Sequence, residues 1–179
     1  MSSTVSIDAC PALLFREVCL AEDSEILVRG KTLFQGYFSK DTGVTLPLTP
    51  EGWFATRDLG KWDDEGHLHI IGRKDNLFIS GGENIQPEEV ESILCGLPGI
   101  TQAIVVPITD REFGERPVAF ISGHTDLRAL ENLLPRFKLP IRYFPLPEKF
   151  QVAKPSRKEL KMLASQLIAA ESESIFLSP

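Results

Sequence analysis

Short apolar runs separated by turn-forming residues dominate the first part of the chain, and this pattern predicts strands without helices. Residues 24–30 (SEILVRG) are typical of one strand. Residues 54–62 and 67–72 are typical of two more, and the acid-rich sequence DDEG at residues 63–66 lies between them, as expected for the turn of a β-hairpin. We therefore expect an all-β region over residues 25–72.

Helical spacing of the apolar residues begins beyond this region. Pro87 suits the first position of a helix, the glutamates after it suit the positive end of the helix dipole, and apolar residues then recur three and four positions apart. Ser156 and Glu159 have the spacing of a capping box at the start of a last helix. Strands and one short helix are predicted between these points, the strands at residues 102–108, 116–122 and 141–146 and the helix at residues 127–134. The change of pattern predicts a domain boundary near residues 72–77.

The composition is that of an ordinary globular protein. Hydrophobic residues make up 42% and charged residues 25% of the 179 residues, which excludes a disordered tail, a coiled coil and a disulfide-stapled miniature. No apolar stretch approaches the roughly 20 residues of a membrane helix, and no signal peptide is visible. Cys10, Cys19 and Cys95 lack CxxC spacing, so we expect buried thiols in a reduced, cytoplasmic protein.

Charge is distributed unevenly along the chain. The net charge is −6, yet residues 136–161 contain eight basic and two acidic side chains. A basic segment on an acidic protein indicates either an anion-binding place or an ordinary solvated helix face, and composition alone favours the solvated face. Nucleic acid is not expected as a partner, because aromatic residues are not interleaved with the basic ones.

Three segments, in a fixed order, carry recognisable motifs: EILVRGKTLFQGY at residues 25–37, GWFATRDLG at residues 52–60 and GRKDNLFISGGENIQPEEV at residues 72–90. They resemble the GEL-x-V-x-G…GY, GW-x-x-TGDLG and GR-x-D…GG-E-x-I-x-P-x-E-I/V motifs of the adenylate-forming enzymes. That superfamily includes acyl- and aryl-CoA ligases, luciferases and peptide-synthetase adenylation domains. The third motif is long and specific.

A finer resemblance rests on three further stretches. SGGENIQPEEVE at residues 80–91, FGERPVAF at residues 113–120 and LPRFKLPIRYFPLP at residues 134–147 look most like the o-succinylbenzoate–CoA ligases of menaquinone biosynthesis. Other acyl- or aryl-CoA ligases, and enzymes that load a carrier protein instead of CoA, remain alternatives. A further alternative of a different class is a non-catalytic lid module that binds CoA or a partner.

The resemblance implies an α+β fold in two parts. Residues 1–74 would be the last β-rich, barrel-like subdomain of a large adenylating domain. Residues 75–179 would be a small, mobile lid domain with a sheet flanked by helices, hinged near residue 75. The family's phosphate loop, a Ser/Thr/Gly-rich segment followed by Pro-Lys, has no counterpart here. The chain is therefore predicted to be a C-terminal portion, from an expressed fragment or a split gene, that lacks its N-terminal domain and is inactive alone.

The implied substrates are a small carboxylic acid, ATP with Mg²⁺, and CoA, none of them tightly bound. A membrane span is not expected, and a homo-oligomer is left open. His67 and His69 alternate along one strand without an evident third ligand, so no protein-held metal is predicted.

Two residues of the motifs are implied to bind the nucleotide. Asp58 would accept hydrogen bonds from the two ribose hydroxyls, whereas a lone Asp before Gly60 would by default stabilise a turn. Arg73 would contact the nucleotide through its forked guanidinium, and the alternative is a surface arginine paired with Asp75. Arg57 stands where the family usually has glycine, and it adds a positive charge beside the site.

The remaining implied site residues belong to the lid. Asp75 would be the hinge residue. Ser80, Gly81 and Gly82 would line the channel for the pantetheine arm of CoA, since paired glycines allow a ligand to approach the backbone closely.

Lys154 is the predicted catalytic residue. Aligning Leu160 with the family's leucine puts Lys154 on the lysine that reaches the acyl carboxylate and the α-phosphate, where a positive charge stabilises the developing oxyanions. Ala153 replaces the family's glycine beside it, and Lys149 and Lys158 are the other candidates.

Overall fold

A computed structural model describes residues 15–152 and 156–176 of the chain. The chain divides into two compact units, and the division falls after Asp75. Among the described residues, the first unit is built of strands and the second of strands and α-helices, so the predicted α+β class is confirmed. The division falls one residue beyond the predicted start of the lid, and the assignment of the two units to a β subdomain and a lid domain stays a prediction.

The described part of the first unit consists of antiparallel strands. They are β1 (Arg16–Leu20), β2 (Glu25–Gly30), β3 (Tyr37–Ser39), β4 (Gly43–Thr45), β5 (Phe54–Trp62) and β6 (Leu68–Arg73). Strands β1, β2, β5 and β6 form one sheet in that order, and β3 pairs separately with β4. The predicted hairpin is confirmed, because the turn at residues 63–66 joins β5 to β6.

The second unit combines a five-stranded sheet with helices. Its strands are β7 (Phe78–Ser80), β8 (Glu83–Ile85), β9 (Ile100–Asp110), β10 (Gly114–Gly123) and β11 (Tyr143–Pro145). Its helices are α1 (Pro87–Cys95), α2 (Leu130–Leu133), α3 (Lys149–Val152) and α4 (Arg157–Phe176). Strand β10 pairs with β9, β7 and β11, so it is the strand through which the sheet is connected.

The sheet of the second unit is buried on both faces, and strand β9 shows why. Ala103 and Val105 belong to the apolar cluster that contains Val90 and Leu94 of α1. Their neighbours Val106 and Ile108 belong to the cluster that contains Leu160 and Ala164 of α4, and the partly buried Ile104 packs against it. Since successive side chains of a strand point to opposite faces, a continuous apolar run is what a strand between two helical layers requires.

Helices α1 and α4 begin where the proline and serine signals in the sequence predict. Pro87 is the first residue of α1, where its missing N–H leaves no hydrogen bond unmade. The Ser156 hydroxyl accepts a hydrogen bond from the backbone N–H of Glu159 at 3.3 Å, so α4 has the serine half of the predicted capping box. None of the helices among the described residues is long and apolar enough to span a bilayer.

The expectation of buried thiols is correct at one cysteine and wrong at another. Cys19 is buried in β1, and this burial raises the pKa of its thiol. Cys95 is exposed, because it is the last residue of α1 and lies off the face that carries Val90 and Leu94. Cys10 lies outside the described residues.

Leu160→Ala should destabilise the second unit by about 2–5 kcal/mol, since Leu160 is fully buried in the cluster under α4. Met162→Ala is the matched control on the same helix, because Met162 is 58% exposed, and its effect should stay within about 0.5 kcal/mol. Urea unfolding followed by far-ultraviolet circular dichroism measures both. Equal losses for the two variants would contradict this packing.

Candidate functional site

The β5–β6 hairpin brings the two predicted nucleotide contacts together. The antiparallel register places Asp58 directly opposite Arg73, and Arg73 Nη1 donates a hydrogen bond to Asp58 Oδ1 at 2.9 Å. Both side chains are partly exposed, with 33% of Asp58 and 48% of Arg73 accessible to solvent. Arg73 thus fixes one carboxylate oxygen of Asp58 on a surface that a ligand can reach.

Arg57 adds a second ion pair beside the first. Its Nε donates to both carboxylate oxygens of Asp75, at 2.8 and 2.9 Å, and its Nη2 also contacts Asp75 Oδ1. Arg73 Nη2 lies 3.5 Å from Asp75 Oδ2, so the alternative pairing of Arg73 with Asp75 coexists with the pairing to Asp58. We call Arg57, Asp58, Arg73 and Asp75 the charged cluster. The arginines, Arg57 foremost through its hydrogen bonds, hold the pKa of the Asp75 carboxyl below its ordinary value.

The backbone of Arg57 has an unusual conformation for a residue with a side chain. Its φ is +63°, in the left-handed region that favours glycine. The family's glycine at this motif position therefore matches the geometry found here. The backbone N–H of Arg57 donates to Glu25 Oε1 at 2.9 Å, which fixes the turn-like conformation inside the strand.

Glu25 is a positioning residue that sequence analysis missed. It is buried although it is acidic, and its carboxylate accepts hydrogen bonds from the Arg57 backbone and from Lys74 Nζ, the latter at 2.8 Å. Lys74 also pairs with Asp23, whose pKa it holds below the ordinary value through this hydrogen bond. Because a buried charge needs partners, Glu25 requires both of these donors.

The predicted pantetheine residues form a tight hairpin instead of an open loop. Ser80 pairs with Glu83, and the intervening Gly81 and Gly82 have φ values of +58° and +88°, as in a two-residue type I′ turn. The Gly81 N–H donates to the carbonyl oxygen of Phe113 at 2.9 Å, whereas the space beside Gly82 is open. The turn alone accounts for both glycines, and Gly82 is the position that leaves room for a ligand.

Phe113 was also missed by sequence analysis. A Cβ on Gly81 would lie 2.9 Å from the Phe113 ring, so the ring packs directly on the turn. The Arg116 guanidinium lies 4.9 Å from the centroid of the same ring. An aromatic ring covered by a cation thus borders the hairpin, in a geometry typical of a cation–π contact.

Lys154 lies outside the described residues, and its catalytic role stays a prediction. Of the other candidates, Lys149 has its Nζ 3.3 Å from Glu159 and 4.5 Å from the centre of the Phe150 ring. Lys158 is exposed on the first turn of α4.

The basic segment at residues 136–161 is extensively paired with acids. The ion pairs are Lys138–Glu89, Arg142–Glu171, Lys149–Glu159, Arg157–Glu88, Arg157–Glu91 and Lys161–Glu115. The Arg157 side chain also donates to the Val105 carbonyl oxygen, so it is part of the packing between α4 and the sheet. These contacts favour the interpretation as a solvated, ion-paired surface over an anion-binding place.

The expectation that both histidines lie in one strand is wrong for His67, which precedes β6, whereas His69 lies within it. The two side chains share one carboxylate. His69 Nε2 and His67 Nδ1 lie 2.7 and 3.2 Å from Asp63 Oδ2. Hydrogen bonds from His69, followed by those from His67, hold the pKa of Asp63 well below its ordinary value. Within the part of the chain that the structure describes, no group of three or more His, Cys, Asp and Glu side chains is placed to hold a metal ion.

Arg57→Gly should be more stable than Arg57→Ala by about 1 kcal/mol. Both variants lose the ion pair, but alanine retains the unfavourable left-handed backbone, which glycine adopts freely. Urea unfolding followed by tryptophan fluorescence measures the first unit, because Trp53 and Trp62, the two tryptophans of the chain, both belong to it.

Lys61 provides the control for this comparison, since it is exposed on the same strand without a positive φ. There the order should reverse, with alanine more stable than glycine by roughly 0.5–1 kcal/mol. The same order at both positions would contradict the strained backbone at Arg57.

Comparison with known proteins is consistent with the motifs. Residues 89–161 match the AMP-binding enzyme C-terminal domain. The 2-succinylbenzoate–CoA ligase of Haemophilus influenzae is 47% identical over 159 residues, which is 83% of this chain and 34% of the relative. The enzyme of the same name from Escherichia coli is 41% identical over 152 residues, 82% of this chain and 33% of the relative. The chain thus spans about a third of the length of the curated relatives it matches.

Solved structures give the same result. Wild-type E. coli MenE with a bound m-phenylether-linked analogue of OSB-AMS superposes with a TM-score of 0.73 at 41% identity, covering 84% of this chain and 34% of that one. The amide bond synthetase McbA from Marinactinospora thermotolerans gives a TM-score of 0.71 at 26% identity, covering 83% and 34%. By motifs, fold and these matches, the chain is similar to the C-terminal part of the adenylate-forming ligases, and residues 89–161 match their AMP-binding enzyme C-terminal domain.

Proposed function

We propose that this chain is the C-terminal part of an AMP-forming 2-succinylbenzoate–CoA ligase. The observation that carries the proposal is the 47% identity to an enzyme of that name over 83% of the chain. Relatives of the same name in several other bacteria support the same substrate. The 26% identity to an amide bond synthetase supports only the broader class of adenylate-forming enzymes.

The proposed reaction has two steps. A carboxylate oxygen of the acid attacks the α-phosphorus of ATP, the bond to pyrophosphate breaks, and an acyl-adenylate forms. The sulfur of CoA then attacks the acyl carbon, a thioester forms, and AMP leaves while the thiol proton passes to solvent. Adenylation makes the second step feasible, because AMP is a far better leaving group than the hydroxyl of the free acid. Mg²⁺ enters with ATP as part of that substrate.

In this proposal the charged cluster serves the nucleotide. Asp58 accepts hydrogen bonds from the ribose hydroxyls, and its existing contact with Arg73 Nη1 at 2.9 Å supports this by fixing the carboxylate in one orientation. Arg73 is 48% exposed, so its guanidinium is accessible to a nucleotide as well.

Asp58→Asn should raise the KM for ATP more than it lowers kcat, because ribose contacts are made equally in the ground state and the transition state.

The acceptor site is proposed at the hairpin of β7 and β8. Gly82 has open space beside its Cα, and this supports passage of a narrow pantetheine arm. A carrier protein would present the same arm, so the hairpin does not discriminate between CoA and a carrier. CoA is favoured by the named relatives.

The substrate assignment is tested with the full-length protein. Pyrophosphate release and thioester formation are measured with 2-succinylbenzoate, benzoate, acetate and a long-chain fatty acid. We expect turnover with 2-succinylbenzoate at the highest kcat/KM. Turnover on acetate or a fatty acid, with none on 2-succinylbenzoate, would overturn the substrate and leave the ligase class standing.

Lys154→Ala in that protein should lower adenylation by about 10²–10³-fold, because a charge aimed at the developing oxyanions is lost. Conversion of supplied acyl-adenylate to thioester should be little affected. Lys149→Ala and Lys158→Ala are the matched controls, and we expect near-normal adenylation from both. A control variant that loses adenylation while Lys154→Ala retains it would move the catalytic role to that lysine.

The 179-residue chain by itself should not release pyrophosphate from ATP with 2-succinylbenzoate. It has no counterpart of the family's phosphate loop, and holding both reactants in attack geometry contributes about 7–11 kcal/mol to such reactions. The assay compares the chain with its Lys154→Ala variant. Turnover that depends on Lys154 would contradict this prediction.

A further inference from the structure

Each of the last three residues of the first unit forms an ion pair within that unit. Three consecutive residues, Arg73, Lys74 and Asp75, each form an ion pair with an earlier part of the same unit. Their partners are Asp58, Glu25 and Arg57, respectively. The anchoring therefore continues to the last residue of the unit.

The next residue is anchored elsewhere. Asn76 belongs to the second unit, and its Nδ2 donates a hydrogen bond to Glu88 Oε1 in the first turn of α1. The change of anchoring takes place across the single peptide bond between Asp75 and Asn76. A rotation between the units that kept all of these contacts would have to use the torsion angles next to this bond.

The ion pair with Arg57 is the main side-chain contact that attaches Asp75 to the first unit. The planar guanidinium of Arg57 donates hydrogen bonds to both carboxylate oxygens of Asp75. Lysine lacks this forked arrangement of donors. A glycine at this position would adopt the left-handed backbone without strain, yet it would leave Asp75 with only the 3.5 Å contact to Arg73 among the contacts of the charged cluster. Replacing the Arg57 side chain would therefore change the attachment of a single residue at the end of the unit, Asp75.

We propose that Arg57 is a positioning residue with two effects. First, it fixes Asp75 to the first unit and so confines rotation between the units to the bonds that follow Asp75. Second, it thereby biases the balance between the adenylation and thioester-forming steps. The second effect rests on the proposed function and on the hinge that the family resemblance implies at Asp75. The pair is exposed, with 58% of Arg57 and 43% of Asp75 accessible, so it contributes little to global stability. A hinge equilibrium close to balance nevertheless responds to small energies, and exposed pairs weaken in salt.

Hydrogen exchange on this 179-residue chain tests the attachment directly. Amides of residues 74–77 should exchange about two- to five-fold faster in Arg57→Ala than in the unaltered chain, the range expected for an exposed pair. Arg57→Gly should show the same increase, because it also lacks the guanidinium although it relieves the backbone strain. Salt should speed exchange in the unaltered chain and have little effect in either variant.

Three further variants test whether the effect is specific to the pair of Arg57 and Asp75. Glu17→Gln removes a comparable exposed pair with Arg29 in the same unit and should leave residues 74–77 unchanged. Asp75→Asn should increase exchange as Arg57→Ala does, and the double variant should add nothing further, since both remove one interaction. Unchanged exchange in Arg57→Ala, or additive effects in the double variant, would overturn the attachment.

The bias on catalysis is tested in the full-length protein. Adenylation and thioester formation are measured separately, and Arg57→Ala should change their ratio by about two- to five-fold, with Arg57→Lys in between. Equal changes in both steps, or none, would overturn the bias. If the full-length protein has no acid–CoA ligase activity, the proposed function fails, and the exchange experiment still decides whether Arg57 fixes Asp75.

Discussion

The register of the β5–β6 hairpin determines where the charged groups at the end of the first unit lie. Antiparallel pairing places Asp58 opposite Arg73, and a slip by one residue would turn one of these side chains to the other face of the sheet. The same register ends β6 where Lys74 reaches the buried Glu25 and Asp75 reaches Arg57. One hydrogen-bonded ladder thus organises both the proposed ribose contact and the proposed hinge.

The second unit depends on a different constraint, the burial of a sheet on both faces. Its central strand β10 connects the long β9 to the short β7, so the hairpin at Gly81 and Gly82 is attached to a well-packed core. The Gly81 N–H bond to Phe113 reinforces this attachment. A hairpin attached to a packed core is suited to moving with that core as one piece, which is the property that the proposed lid requires.

Sequence patterns predicted the features that depend on neighbouring residues. The DDEG turn, the proline start of α1, the serine cap of α4 and the buried strand in β9 are all local signals, and each is found in the structure. The hairpin of β7 and β8 was missed because strands of three residues are too short to show a period of two.

Contacts between distant residues could not be predicted in the same way. Arg57 and Asp75 are 18 residues apart, and Lys138 and Glu89 are 49 apart, so neither pairing leaves a pattern in the sequence. The departure from glycine at Arg57 marked an unusual position but not its partner. Lys154 was assigned by alignment alone, and it lies outside the described residues.

The ion pairs of the basic segment weaken the long-range electrostatic field of the second unit. A cation held against a carboxylate forms a dipole, and the field of a dipole decays faster with distance than that of a single charge, even before salt screens it. Lys138, Lys149 and Lys161 each belong to such pairs. The capture of an anionic substrate by this surface would therefore depend on short-range contact, with little long-range electrostatic attraction to speed its arrival.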